Sequence, residues 1–542
     1  MKNYMLVAVS FFLGTLAFGQ TLEEALKKTD NERYELAKTD FRSLIAKDPA
    51  KAADYYFYLG QNFYQQGELD SAFVAWGQGA SMDAVNPLGM VGSGNVLWHK
   101  GDTAAARKQF VAACTATKHK NAEIMRQVAA TYTYAKVKNV DAAIKLLNDA
   151  VKLDPKNVEG HLILGDALLE KTPSNGSPAI AEYNKVLDLD AKNCKGIIRK
   201  AKLYQRAKNY DSAEELYKEA QALDPTYAPA YRENAELNML QNKQKEAIEN
   251  WKKYLELNNS DEARYRFATS LYLSRRYCDA ITEFEGLHSR NFVTYYTRRM
   301  LAYSLYECNA DSQVTDANKK GLEELERFFL MVPADKVAAY DYKYRGLHYS
   351  KLGMDSLALL DYQKAIAMDA IWEKELSGLI AKIYYKAKKY DDAIKYYEIK
   401  KAGKASNLNV TEHYELGRAY YFGPQNFALA DSSLRQVTEQ STSFASGYLW
   451  RARANYKLDV GNVLWAAKPF YEAYLEKLKP EDKTNPSNKA TQIEAAKYLG
   501  DYYVNSKEGK DLAKAKVYWK MVLDLEPTDA QAKAFMASPA GR

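Results

Sequence analysis

Glycine and proline are scarce, 27 and 14 in 542 residues. That is too few for the turn-rich connections of an all-β fold, and it excludes collagen-like and low-complexity chains. Cysteine occurs four times, with no Cys-x-x-Cys spacing, so zinc-finger and thioredoxin-type chemistry are not expected. Neither sign of charge dominates. Seventy-six basic residues face 69 acidic ones, a net charge of +7. Over this length that does not point to nucleic acid or to an anionic membrane. The six histidines show no metal-ligand spacing and no HExxH. There is no GxSxG, and the patch Gly89, Gly92, Gly94 has no following GK[ST]. With no recognisable bearer of catalysis, the expectation is a non-enzyme without metal or cofactor.

Long apolar runs are missing too, apart from residues 5–18, which are too few to span a bilayer comfortably. Lys2 precedes that run, and Ala17 and Gly19 put small residues at −3 and −1 of a cut before Gln20. The segment therefore reads as a secretory signal peptide. The expected location is periplasmic or envelope-associated, with no membrane span in the mature chain. No cysteine lies near the cut, so no lipid anchor is expected there. An exported chain can form disulfides. Cys278–Cys308 is the one candidate pair, with four free thiols as the alternative.

What is abundant is tyrosine, 43 residues, and it recurs with a period. "YLGQNFYQQGELDSAFVAW" returns in altered form as "GSGNVLWHKGDTAAARKQF" and again as "LYQRAKNYDSAEELYKEAQALDP". One column of small residues runs through Gly60, Gly94, Gly165, Ala201, Gly346, Gly417 and Gly500. A second runs through Ala72, Ala106, Ala179, Ala213, Ala358, Ala430 and Ala515. A large residue follows the second column by four, as at Trp76, Phe110, Tyr183, Tyr217, Tyr362, Leu434 and Trp519. Two antiparallel helices approach closely only where a side chain is small, and a large one a turn later fills the gap. Aspartate or asparagine shortly before the second small residue, as in "YDSA" and "YDDA", is expected to cap the second helix. Proline closes several units, as at Pro155, Pro225, Pro333 and Pro527.

This grammar resembles the tetratricopeptide repeat, a helix–turn–helix unit of 34 residues. Thirteen units share one register, after a truncated one built on Ala37, Phe41 and Pro49. The resemblance implies an all-α, right-handed superhelical solenoid. The expected organisation is a signal peptide (1–19), a truncated repeat (20–52), a regular array of about six repeats (53–260) and a looser array (261–481). A polar linker (482–492) and a final repeat with a cap (493–542) follow. Insertions fall at 308–320 and 458–464. Four Asp-Ser/Thr sites, at Asp70, Asp102, Asp211 and Asp355, read as helix starts or as an O-glycosylation sequon.

In this family the first helices line a concave surface. That register implies an early, largely apolar groove with Phe57, Tyr64, Val91, Trp98, Val128 and Tyr132. It implies a late, basic-aromatic groove with Arg299, Tyr303, Tyr306, Tyr340, Lys343, Lys351, Lys382, Tyr385, Lys386, Tyr414, Arg418, Tyr421, Arg453 and Tyr456. The former suits an amphipathic helix or an extended apolar peptide and the latter an acidic peptide or an anionic polymer. The chain looks like exported scaffold proteins of Bacteroidetes. The expected partners are proteins or peptides, acidic segments among them, and no nucleic acid. Capture of a glycan or anionic polymer is the alternative.

Overall fold

The computed structural model describes residues 21–309, 315–402 and 408–541. The segment 1–19, expected to be a signal peptide, and the middle of the 308–320 insertion lie outside them. Among the described residues there are thirty α-helices, four 3-10 turns and no strand. No helix there is long and apolar enough to cross a membrane.

The helices come in antiparallel pairs that follow the sequence register. Ala52–Gln66 packs on Leu69–Met82, and the pairing recurs through Lys489–Asn505 and Leu512–Leu525. The truncated repeat is the pair Leu22–Asp30 and Tyr34–Lys47, with a short first helix. The small and large columns meet as the packing argument requires. A Cβ on Gly500 would stand 2.7 Å from the indole of Trp519. Trp76, Tyr183, Tyr217, Tyr362 and Tyr397 are fully buried. Helix Ala530–Ala537 closes the chain, Phe535 stacking on Trp519 at 5.8 Å.

Scarce glycine leaves a trace in the turns between paired helices. Gly67, Gly101 and Gly353 take the left-handed conformation there, but Lys208, Asn242, Arg275 and Lys388 take it as well, at φ of 58–61°. Asparagine caps the first helices of successive repeats: Asn86, Asn121, Asn157 and Asn193 each accept a backbone N–H three residues on. Before Ala213 the capping residue is Asn209, which accepts from the amide of Ser212. Asp211 and Asp391 lie inside the first turn, where the helix dipole favours an anion.

The compact units of the chain are Met1–Met300 and Leu301–Arg542. The stretch 482–492, expected as a polar linker, carries secondary structure. It contains the end of helix Pro480–Thr484, the turn Pro486–Asn488 and the start of helix Lys489–Asn505. Its polar side chains satisfy backbone groups: Gln492, almost fully buried, donates to the Lys483 carbonyl and Asn488 to that of Asp482. The 458–464 stretch is likewise an ordered turn. The Asp459 carboxylate accepts the amides of Leu464 and Ala466 at 3.0–3.1 Å.

Candidate functional site

In the first unit the early groove is mostly interior. Phe57, Val91, Trp98, Val128 and Tyr132 are buried, from 0 to 6% exposed. They are core residues, not an open wall. Successive first helices Ala52–Gln66, Pro87–His99 and Ala122–Tyr134 touch one another, so these side chains fill the seams between them. Trp98 meets Tyr132 edge-on at 4.9 Å and donates Nε1–H to the Val137 carbonyl at 2.8 Å. Tyr64 of this set lines a cavity.

That cavity, of about 900 Å³, is lined by charged residues set among tyrosines, glutamines and aliphatic side chains. Asp166 accepts from the Tyr183 hydroxyl at 2.7 Å, from the Tyr134 hydroxyl and from Arg199 Nε. Lys195 reaches Asp30 at 3.0 Å and Glu159 at 2.5 Å. Burial pushes the Glu159 carboxyl up, but Lys195 and Arg126 outweigh it and hold the group below the usual carboxylate range. The N-terminal helix pair docks on the far wall. Glu32 accepts from Arg232 at 2.7 Å and from the Tyr254 hydroxyl at 2.8 Å, and Asn31 donates to Asp224 and Thr226. Lys195, Arg199 and Lys202 sit at i, i+4 and i+7 of helix Cys194–Arg206. That basic stripe was visible in the sequence; its acidic partners on Leu22–Asp30 and Val158–Lys171 were not. The cations and carboxylates of this wall neutralise each other in pairs.

The late groove separates into engaged and open residues. Arg299, half-buried, belongs to the first unit. Within the second unit, Tyr303 is buried; its hydroxyl donates to Asp341 at 2.6 Å and its ring stacks on Tyr344 at 4.0 Å. Tyr306 meets Tyr344 and His348 edge-on. Lys343 is buried too, paired with Glu375 and lying over Trp372 at 4.4 Å and Tyr340 at 4.7 Å. These two were expected to face a partner and instead hold the fold together, because Asp341 and Glu375 come within their reach. Arg453 makes a two-pronged bond to Glu494, at 2.7 and 3.0 Å. Lys351, Lys382, Lys386 and Tyr456 are exposed.

Arg418 is different. Its guanidinium lies over Trp450 at 4.8 Å, Tyr414 at 5.4 Å, Phe422 at 5.6 Å and Tyr385 at 5.9 Å. Its Nε is buried without a hydrogen-bond partner. Among the described residues it forms no ion pair, and neither does Lys382, at the rim of a cavity of about 350 Å³. The carboxylates lining that cavity have other partners: Glu412 pairs with Lys400 and Glu415 with the Tyr397 hydroxyl, both in the same lining, and Glu375 with Lys343. Tyr421 packs against Trp450 and Phe427. Trp450 and Phe422 were absent from the sequence-derived site: Phe422 stands one turn after Arg418 on the same helix, whereas the packing of neighbouring repeats brings Trp450 to it. Among the described residues no three metal-ligating side chains come together.

Comparison with known proteins agrees with this architecture. Family models described as tetratricopeptide repeat match residues 22–87, 132–193 and 196–227. Comparison with curated proteins gives no match. Among solved structures, the C-terminal part of a TPR repeat-containing protein from Cytophaga hutchinsonii is 31% identical, covering 51% of this chain and 100% of that one, with a TM-score of 0.38. A tetratricopeptide repeat protein from Parabacteroides merdae is 19% identical over 46% of this chain and 93% of that one, with a TM-score of 0.30. A thermophilic TPR protein of Thermus thermophilus is 18% identical over 41% of this chain and 99% of that one, at 0.29. Repeats of this kind generally mediate protein–protein interaction and are typically non-catalytic, and on its register and its matches this chain belongs to the tetratricopeptide repeat family.

Proposed function

We propose that this chain is an exported, non-enzymatic scaffold that holds protein partners on its first helices and assembles or tethers components of the cell envelope or of a secretion machine. The observation that carries this reading is Arg418, a cation inside four aromatic rings without a carboxylate partner among the described residues. Most cations around it are paired, as Lys343, Lys400 and Arg453 are. Aromatic rings around a desolvated arginine are the usual make-up of an energetic centre in a protein interface.

The second reading, capture of an anionic polymer, draws on the same cations. Photo-crosslinking from position 456, exposed beside this surface, in cells that make the full chain tests the two. Crosslinks to a defined protein, lost with R418E, are expected. Retention of polysaccharide alone overturns the scaffold reading. Fractionation of the same cells checks export: a chain that stays inside the cytoplasmic membrane overturns that part.

A further inference from the structure

Resting on the partner-binding reading above, we propose that Lys382 and Arg418 read an acidic segment of a partner protein in which two carboxylates stand three residues apart. The two cations occupy one register position, directly after the small residue of the first helix: Ala381–Lys382 and Gly417–Arg418. Ala452–Arg453 repeats it once more. Their helices, Glu373–Lys386, Val410–Phe422 and Ala445–Leu458, touch in that order. Packed helices stand about 8–10 Å apart.

The third member of the row shows what this position does when a carboxylate is in reach. Arg453 lies over Trp450 at 4.5 Å, as Arg418 does at 4.8 Å, and grips Glu494 with a two-pronged fork. The fork is the geometry in which a guanidinium binds carboxylate best. Arg418 has the same ring and no such partner among the described residues. Beside it the hydroxyls of Tyr385 and Tyr414 are further donors that make no hydrogen bond among the described residues.

The repeat spacing selects the ligand. In a polyproline II segment, residues i and i+3 share one side and stand about 9 Å apart, at about 3.1 Å per residue. In a β-strand, same-side residues stand about 7 Å or 13 Å apart, which misses the step between helices. The ligand is therefore a polyproline II-like stretch with aspartate or glutamate at i and i+3. A sugar ring fits less well. Sugars stack on open aromatic faces, whereas Trp450 is 9% exposed and has two guanidinium groups over it.

The test is fluorescence anisotropy of the full mature chain with labelled Gly-Ser-Pro host peptides of equal charge. Two glutamates are placed at i and i+1, i and i+3, or i and i+5. The i, i+3 peptide is expected to bind tightest, and K382E and R418E are each expected to weaken it by about tenfold or more, the size of one charge-assisted contact. The K382E/R418E double variant is expected to prefer lysines at i and i+3. Lys382 is exposed, so K382E separates lost binding from lost folding, with the helical circular dichroism signal as control. Equal affinity for all three spacings overturns the proposal, as does unchanged affinity in K382E. Displacement of every peptide by a uronate polysaccharide at lower concentration assigns the surface to an anionic polymer and overturns it too. Crosslinks to a protein that persist in both variants leave the scaffold reading standing and this one refuted; absence of any protein crosslink refutes the scaffold reading itself.

Discussion

Gly346 lies against the ring of Tyr362 so closely that a methyl group at its Cβ position would stand 2.6 Å from Cε1. The small residue of one helix and the large residue of the next are thus a single packing unit. Gly346→Val should destabilise the second unit by about 1–3 kcal/mol, the usual size of overpacking. Tyr362→Leu on top of it should recover part of that loss, since the clash is with the ring. Urea unfolding followed by circular dichroism checks both. Repeat arrays need not unfold in one step, so the shift belongs to the transition that Gly346 controls. Additive losses in the double variant would show that the two residues do not act as one unit.

The turns offer a gain. Lys208 and Lys388 hold φ of 61° and 58°, a conformation that costs a residue with a Cβ about 1–2 kcal/mol. Lys208→Gly and Lys388→Gly should each stabilise the chain by about 0.5–1 kcal/mol, because glycine's extra freedom in the unfolded state cancels part of the relief. A higher melting temperature for each variant is the expected readout. A lower one would mean that the lysine side chains matter more than the backbone.

These two cases mark what the sequence made legible. A small–large pair sits within one repeat, so thirteen copies display it thirteen times and the fold class follows. Whether a groove residue faces solvent depends on how tightly neighbouring repeats pack, and no single repeat carries that information. Phe57, Val91 and Trp98 hold groove positions in the register and are interior, because their first helices touch. Lys343 and Arg453 were expected to face a partner, but Glu375 and Glu494 on following repeats engage them. The remote pairings were invisible altogether, since nothing local links Glu32 to Arg232.

That last pair gives a prediction for the first unit. Arg232→Ala leaves Glu32, largely buried, with only the Tyr254 hydroxyl among its described partners. Losing one side of such a pair should cost about 3 kcal/mol or more. The loss should fall on the docking of the N-terminal helix pair. Hydrogen exchange should speed up across Leu22–Asp30 and Tyr34–Lys47, with Ala445–Leu458 unchanged. Uniform acceleration along the chain would instead mean that the contact supports the whole fold.

The cysteines divide into two kinds. Cys114 and Cys194 are free thiols, and Cys278 and Cys308 are disulfide-bonded. Burial pushes the Cys114 thiol up, and burial with Asp224 pushes that of Cys194 up to about 11. Little thiolate is present at neutral pH, so iodoacetamide should label the folded chain slowly. In denaturant without reductant, mass mapping should find label on Cys114 and Cys194 only. Label on all four would refute the bond.

His348 supplies the pH dependence. It is fully buried, donates Nε2–H to the Ala302 carbonyl at 3.1 Å and faces the Asn318 side-chain amide with Nδ1. Burial lowers its pKa to about 4, against an ordinary value near 6.5. The folded state therefore prefers the neutral ring, while the unfolded chain takes up the proton more readily. The sign follows from linkage: this stability is fully present above about 6.5, falls as the pH drops through that value and is gone below about 4. A shift of this size corresponds to about 3 kcal/mol. His413, lowered by burial and by Lys401, acts in the same direction. Melting temperatures between pH 7 and 5 should therefore drop. The drop should be smaller in His348→Gln, which keeps an uncharged polar group in place, although that variant starts from lower stability. A drop of equal size in both proteins would assign the acid sensitivity to the carboxylates instead, since His348 would then carry none of it.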